Sequence, residues 1–185
     1  MFILYAVLAG LVVGRLAGGR LTNLGSMRLR WLPLALIGLG VQVVLFSDLG
    51  ASIAGDLTPL VYVASTGLVL AAVVVNLRVP GLALVAVGAG LNLAAILANG
   101  GSMPASADAL RSLGMPVEDA TNSVVVADPA LAFLTDIFAM PSWLPFANVF
   151  SLGDVLIGVG IAVAIVAGMR RPTTAVPSRP DPEAA

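Results

Sequence analysis

Only carboxylate, hydroxyl and guanidinium side chains are available for catalysis in this sequence. The 185 residues include no cysteine, histidine or lysine, and all nine basic residues are arginines. This composition excludes thiol nucleophiles, imidazole bases, lysine Schiff bases and zinc sites built on Cys or His. Two carboxylates that share a proton can still activate water, one as base and the other as acid. The candidate catalytic pair is Asp154 with Asp136 or Asp128, and we expect no metal and no cofactor.

Asp154 also has a structural interpretation. It follows Ser151 by three positions at the start of an apolar stretch, and a serine with an acidic residue three positions later is typical of a capped helix start. An acidic side chain in the first helical turn also complements the positive end of the helix dipole. The spacing therefore predicts a helix cap, and the cap and the catalytic pair both stay open.

Amide side chains inside apolar segments form a second set of polar residues. Asn92 and Asn99 are seven residues apart, which places them on one face of a helix. An amide in hydrocarbon is costly unless it is hydrogen-bonded, so this face should point at other helices, with Gln42 as the expected partner. We predict that Asn92, Asn99, Ser151 and Asp154 form a polar cluster near the outer face of a membrane bundle.

Five apolar segments must position these side chains. The chain is 59% hydrophobic and 10% charged, with a mean hydropathy of +1.04, whereas ordinary soluble domains are about a quarter charged. A bilayer core requires about 20 apolar helical residues, or fewer when flanking side chains reach the headgroups. We therefore predict an all-α integral membrane protein, a bundle of five transmembrane helices. The predicted spans are residues 1–16, 31–46, 57–75, 81–98 and 151–169.

The arginines predict the orientation of this bundle, because basic residues in short connections stay in the cytoplasm. Arg111 alone belongs to one side, and the other eight adjoin the ends of the first, third and fifth spans: Arg15, Arg20, Arg28, Arg30, Arg78, Arg170, Arg171 and Arg179. This distribution predicts a multi-pass protein of the cytoplasmic membrane with its N-terminus outside and its C-terminus in the cytoplasm. Residues 1–171 form the predicted membrane domain, and the proline-rich residues 172–185 are predicted to be a disordered cytoplasmic tail.

Residues 99–150 form the one long loop, which lies outside in this topology and is predicted to contain short surface helices. The string "SADALRSLG" indicates a helix with Ser106 as its N-cap. The string "DPALAFLTDIF" indicates a second, amphipathic helix capped by Asp128. Trp143 and Phe146 are expected at headgroup depth. The charges of the loop are mostly acidic, which argues against a nucleic-acid partner.

Glycines repeat every four residues on the first span, at Gly10, Gly14 and Gly18. Such a stripe lets another helix backbone approach closely. It could serve a homo-oligomer or packing within the chain, with the second helix as the internal partner. In a five-helix protein we favour the internal use.

The string "FSLGDVLIGVG" resembles the last motif of the lipoprotein signal peptidases, which reads Phe-Asn-Leu-Ala-Asp followed by an apolar turn, Ile and Gly. The matching residues are Phe150, Leu152, Asp154, Ile157 and Gly160. The resemblance implies that Asp154 is one of two catalytic aspartates at the outer membrane face. Ser151 and Gly153 replace the asparagine and alanine of that motif, and the Asn-x-x-Asp-Arg motif of the other aspartate does not occur in the chain.

A wider resemblance covers nearly the whole chain. The strings "RLRWLPLALIGLGVQ", "NLRVPGLAL", "NLAAILANGGSMP", "DALRSLG" and "ANVFSLGDVLIGVG" occur in this order and are similar to a bacterial family of small multi-pass membrane proteins known only as a domain of unknown function. The resemblance implies the topology and no activity.

We expect a non-enzymatic membrane module that interacts with membrane lipid, a membrane-protein partner or a second copy at its outer face. One alternative is an intramembrane aspartyl peptidase-like hydrolase that uses Asp154 and Asp136 at that face. The other is a transporter of a small solute or lipid, with Asn92, Asn99 and Gln42 along its passage.

Overall fold

The computed structural model of the protein describes residues 2–115 and 123–171, and this part of the chain is mostly helical. Five longer helices carry the apolar segments, and two short ones lie in connections. In chain order the α-helices are α1 (Phe2–Leu16), α2 (Leu32–Leu45), α3 (Asp48–Ala54), α4 (Thr58–Val74), α5 (Leu82–Ala98), α6 (Ala107–Ser112) and α7 (Leu152–Arg170). The five longer helices coincide with the predicted apolar segments to within one residue at each end.

Local sequence explains where these helices begin. Proline occupies one of the first two positions of both α2 and α4, where its missing N–H has no helical partner to lose. Helix α5 follows Gly81, which has a φ of 89°, a conformation that costs glycine little. The N-terminus of α7 is closed by Ser151. Short helix α3, which the sequence did not predict, continues through a 3₁₀ turn into α4.

The five longer helices pack as a row in the order α1, α7, α5, α4 and α2. Helix α7 therefore lies between α1 and α5, and α4 lies between α5 and α2. Helices α1 and α7 run parallel, because Gly10 and Gly14 of α1 face Ala162 and Met169 of α7 in turn.

The glycine repeat of α1 serves contact within the chain. A Cβ on Gly10 would lie 2.9 Å from the Cα of Ala162, so only a glycine permits this separation of the two backbones. The internal partner is α7 and not the second helix, which lies at the far end of the row. Gly18 lies beyond the end of α1 with a φ of 79° and nothing near its Cβ position, so it shapes the turn that follows.

The row has two chemically different ends. At one end α2 and α5 stop, α1, α4 and α7 start, and the long loop covers the helix termini; we call it the loop end. The acidic residues of the described chain lie toward it: Asp48, Asp56, Asp108, Asp128, Asp136 and Asp154. At the opposite end, the arginine end, lie Arg15, Arg20, Arg28, Arg30, Arg78, Arg170 and Arg171.

The long loop folds back onto the loop end. Two short strand pairs organise it: β1 (Met103–Pro104) runs parallel to β2 (Ser123–Val124), and β3 (Phe138–Ala139) runs antiparallel to β4 (Val149–Phe150). Met103 and Leu134 are buried against Ala95 and Ile96 at the end of α5. Apolar burial therefore attaches the loop to the bundle.

One of the two predicted loop helices is present. Ser106 is the N-cap of helix α6, and its hydroxyl accepts a hydrogen bond from the N–H of Ala109. The prediction of a second helix at "DPALAFLTDIF" is wrong, because only a 3₁₀ turn (Ala132–Leu134) forms there. Strand-like pairing competes with the helix: the N–H of Asp136 donates to Pro104, and the N–H of Ser106 donates to Asp136. These long-range bonds satisfy the backbone groups that a helix would have used.

Within the described residues, two helices are long and apolar enough to cross a membrane: Ser52–Val74, which includes the end of α3, and Leu152–Arg170. The other three longer helices are equally apolar and somewhat shorter: Phe2–Leu16, Leu32–Leu45 and Leu82–Ala98. The predicted disordered tail, residues 172–185, lies outside the described residues.

Candidate functional site

Ser151 and Asp154 close the N-terminus of α7 as a reciprocal capping box. The Ser151 hydroxyl accepts a hydrogen bond from the N–H of Asp154 at 3.0 Å, and the N–H of Ser151 donates to Oδ2 of Asp154 at 3.0 Å. Each side chain thus satisfies one of the N–H groups that a helix start leaves without a partner. The predicted helix cap is present.

Asn92 of α5 joins this cap to the neighbouring helix. Its Nδ2 donates to Oδ1 of Asp154 at 2.9 Å, and its Oδ1 accepts from the Ser151 hydroxyl at 2.8 Å. The three side chains form a closed ring of hydrogen bonds, which we call the Asn92 latch (Asn92, Ser151 and Asp154). Ser151 is fully buried, so the latch lies where an unsatisfied polar group would be costly.

A glycine makes room for the latch. Gly153 is buried beside the Asn92 side chain, and a Cβ built on it would collide with the Oδ1 atom of Asn92 and lie 2.7 Å from the carbonyl oxygen of Gly88. The close approach of α5 and α7 therefore requires the absence of a side chain at this position. Gly153 is one of the two departures from the peptidase motif, which has alanine there.

The latch leaves Asp154 little freedom to act on a substrate. Both carboxylate oxygens accept hydrogen bonds, one from the backbone of Ser151 and the other from the Asn92 amide. The Ser151 hydroxyl is also occupied, because it donates to Asn92 and accepts from the backbone of Asp154. The arrangement suits a structural joint, because every bond aligns one helix against the next.

Asp136, the second carboxylate of the candidate catalytic pair, is buried in the loop with 7% of its surface exposed. Tyr62 of α4 packs against Met103 and Leu134 of the loop, so it lies at the loop end of the bundle, where Asp136 and Asp154 also lie. Tyr62 was not among the predicted site residues. It could have been noticed as the one aromatic residue of the third predicted span. Asp128, the other candidate, lies on the exposed part of the loop.

Asn99 does not join the latch, although it lies on the same helix as Asn92. Its Nδ2 donates to the carbonyl of Ala95 and, at 2.9 Å, to that of Ala130, and its Oδ1 accepts from the N–H of Ala130 at 2.9 Å. The side-chain amide therefore forms two hydrogen bonds with the backbone of Ala130, one as donor and one as acceptor. Asn99 fixes the loop to the end of α5, while Asn92 fixes α5 to α7.

Gln42 is also placed differently from the prediction. Its Nε2 donates to the hydroxyl of Thr66 at 3.1 Å, so it joins α2 to α4 and does not contact Asn92. The order of helices explains this, since α4 lies between α2, which carries Gln42, and α5, which carries Asn92.

Two asparagines at the arginine end, which the sequence analysis did not single out, have the same kind of role. Nδ2 of Asn76 donates to the carbonyl of Arg30 at 2.6 Å, and Oδ1 of Asn76 accepts from the N–H of Arg30 at 2.8 Å. Asn23 donates to the carbonyls of Met169 and Arg171 at 2.8 Å. Asparagines thus connect loops to helices at both ends of the bundle, with buried side chains at the arginine end and a half-buried Asn99 at the loop end.

Residues 26–166 match the model of a family of unknown function, DUF5317. The match covers more than two thirds of the chain and includes the latch, the loop and four of the five longer helices. No curated protein and no solved structure matches the chain. The expected resemblance to a family of unknown function is confirmed.

Proposed function

We propose a function from the geometry of the chain itself, because the chain belongs to the family DUF5317 and a family of unknown function transfers no activity. The protein is a non-enzymatic module of the cytoplasmic membrane with five spans. Its long loop is a fixed cap on the outer face, where it contacts membrane lipid or a membrane-protein partner.

The exposed side chains support membrane insertion. Helix α2 exposes apolar side chains around most of its circumference: Leu32, Leu34, Leu36, Ile37, Leu39, Val41, Val43 and Val44. Val43 is 75% exposed and Leu16, at the end of α1, is 83% exposed. Monomeric soluble proteins rarely expose large contiguous apolar patches. Lipid tails would cover both outer helices of the row.

The three shorter helices span with the help of their ends. A helix of 14 residues, the length of α2, is about 21 Å long at 1.5 Å per residue, below the bilayer core of about 30 Å. Local thinning of the bilayer and arginines that extend toward the headgroups offset such a mismatch at modest cost. Arg15 lies in the last turn of α1, Arg30 lies two residues before α2, and Arg78 lies four residues before α5, where they can do so.

The separation of charge supports the orientation. The arginine end belongs in the cytoplasm, because basic residues in short connections are retained there. The loop end then faces outward, with exposed Trp143 and Phe146 in the stretch beside the start of α1. The hydroxyl of Tyr5 donates to the carbonyl of Pro145 at 2.6 Å and holds this stretch at the rim of the bundle, at the depth where aromatic side chains favour the interface.

The single observation that carries the non-enzymatic assignment is the occupation of both oxygens of Asp154 by the latch. Replacement of Asp154 by asparagine tests it. The variant presents an N–H where Asp154 has an acceptor, so one N–H donor of the latch would face another donor. We expect D154N to lower the free energy of unfolding by about 1–2 kcal/mol, measured as a lower melting temperature in mild detergent.

The matched control is D108N, since Asp108 forms an exposed ion pair with Arg111 at 2.6 Å and exposed pairs contribute little. A rise in the melting temperature of D154N would overturn the structural assignment. Two catalytic carboxylates repel each other in the folded protein and lower its stability. Replacement of one of them by asparagine removes this repulsion and raises the melting temperature. D154N would then support the hydrolase.

The hydrolase stays the second candidate because Asp136, buried in the loop, and Asp154, in the first turn of α7, lie at the same end of the bundle. It needs the latch to open, since Asp154 must release Asn92 to share a proton with a second carboxylate. The transporter has no comparable support. Asn92, Asn99 and Gln42 each bond to protein groups on different elements, so they do not line a common passage.

A further inference from the structure

A groove runs along the contact between α1 and α7 and ends at an arginine. Its volume is about 620 Å³, and small apolar side chains line it, with Arg170 at the arginine end. The lining includes Ala9, Gly10, Ala162 and Ala167. These small residues leave space between two helices that otherwise touch closely at Gly10.

A cavity lined partly by two arginines lies beside the same helix ends. It has a volume of about 480 Å³ and is lined by Arg15, Arg20 and Thr22 together with two glycines. The N–H of Arg20 donates to the carbonyl of Met169 at 2.9 Å, so this cavity adjoins Arg170. Arg15 also ends a second apolar groove on the other side of α1. Basic side chains thus stand where apolar grooves reach the end of the bundle.

These arginines have no acidic partner among the described residues. Within the described ranges, 2–115 and 123–171, the acidic side chains lie toward the loop end. The ion pair found in these ranges joins Arg111 to Asp108. Arg15, Arg20 and Arg170 are exposed. The arginine end therefore presents positive charge that the described chain does not neutralise.

We propose that the α1–α7 groove binds an anionic glycerophospholipid, with an acyl chain along the groove and the phosphate at Arg170, Arg15 and Arg20. Charge complementarity selects this occupant: the groove is apolar along its length and basic at one end, which matches the two parts of such a lipid. A second copy of the chain would bring its own arginines to the same place and would be repelled. The inference rests on the proposed insertion in a membrane and adds a lipid site at the inner face.

Competition between two lipids that differ only in headgroup charge tests the site. The full chain in mild detergent is mixed with equal amounts of phosphatidylglycerol and phosphatidylcholine of identical acyl chains, and retained lipid is measured by native mass spectrometry. We expect retention of phosphatidylglycerol to exceed that of phosphatidylcholine by at least about fivefold, the contribution of one basic residue near an anionic surface. Equal retention of the two lipids by the wild-type chain would overturn the proposal without any variant.

Two triple variants locate the preference. R15Q/R20Q/R170Q removes the arginines that line the groove and the cavity beside it, and R28Q/R30Q/R78Q removes the same charge from arginines of the same end that line neither. We expect the first variant to lose the preference and the second to keep it. An equal loss in both would show diffuse attraction to the arginine end and would overturn the site.

A substitution within the groove tests the position of the acyl chain. V163W places a large side chain in the groove, since Val163 lines it, and L36W places the same side chain on exposed Leu36 of α2. We expect V163W alone to reduce retained phosphatidylglycerol. A separate result would overturn the proposed function. Extraction of the chain from membranes at alkaline pH would overturn both membrane insertion and this lipid site. Equal retention of the two lipids by a membrane-integrated chain would overturn only the lipid site.

Discussion

At the scale of single residues, the bundle is held by a few amides that each serve two elements. Asn92 joins α5 to the capping box of α7, Asn76 holds the start of α2, and Asn23 holds the end of α7. In an apolar environment each such bond is expected to be more valuable than in water, because the alternative is an unsatisfied polar group. The measured average for such bonds in membranes is nevertheless modest, below about 1 kcal/mol. The closed ring at Ser151 and Asp154 is therefore the place where several bonds act together.

The contact between Gly153 and Asn92 gives a prediction at this scale. G153A inserts a methyl group against the Asn92 amide and the Gly88 carbonyl, and overpacking of this kind costs about 1–3 kcal/mol. We expect a lower melting temperature for G153A. The control is G90A on α5, because nothing lies near its Cβ position and alanine is the better helix former. If G153A and G90A melted alike, the latch would not be packed as described.

At the scale of elements, long-range pairing decides the conformation of the loop. The segment around Ala132–Leu134 has the composition of a helix, yet Asp136 exchanges backbone bonds with Pro104 and Ser106. Leu131 is left-handed with a φ of 53°, which interrupts any helix that started at Asp128. The Asn99 bridge to Ala130 holds the chain immediately before this residue. The loop therefore takes its shape from its attachment to α5.

Removal of the Asn99 bridge should release the loop without opening the bundle. N99A deletes both bonds to Ala130, and a segment with fewer anchors opens at lower free energy. We expect backbone amides of the 130–137 segment to exchange with deuterium at least tenfold faster, while those of α7 keep their protection. N148A is the matched control. The backbone carbonyl of Asn148 accepts a hydrogen bond from the N–H of Met140, and substitution of the side chain keeps this bond. Faster exchange in α7 of N99A would contradict the separation of these roles.

At the scale of the whole molecule, the chain is polarised. One end of the row carries seven described arginines and the other carries the loop with the acidic residues. In the proposed topology, this distribution agrees with the rule that basic residues in short loops of membrane proteins remain in the cytoplasm. The two ends are therefore suited to different contacts. The arginine end suits anionic headgroups, and the folded loop at the loop end suits a protein partner.

The polarity predicts which positions a membrane-impermeant thiol reagent reaches in intact cells. The chain has no native cysteine, so single substitutions report without background. S112C lies at the end of α6 and T22C lies at the arginine end, and both positions are exposed. We expect S112C to react in intact cells and T22C to react only after permeabilisation. The reverse pattern would overturn the proposed orientation, while a lipid preference measured in detergent would stand.

The amino-acid sequence alone determined the five longer helices, because unbroken apolar runs bounded by proline, glycine and a serine cap define helix ends locally. It also predicted a cap at Ser151 and Asp154, since both belong to the same turn, but it left a catalytic role for Asp154 open. Which helix lies beside which was decided by the tertiary structure. An apolar helix surface does not specify which other helix packs against it. The contacts of Gln42 with Thr66 and of Gly10 with Ala162 therefore could not be predicted from the sequence. The shape of the loop and the joining of Asn92 to the cap have the same cause: they depend on groups more than 30 residues away in the chain, and local preference cannot select such partners.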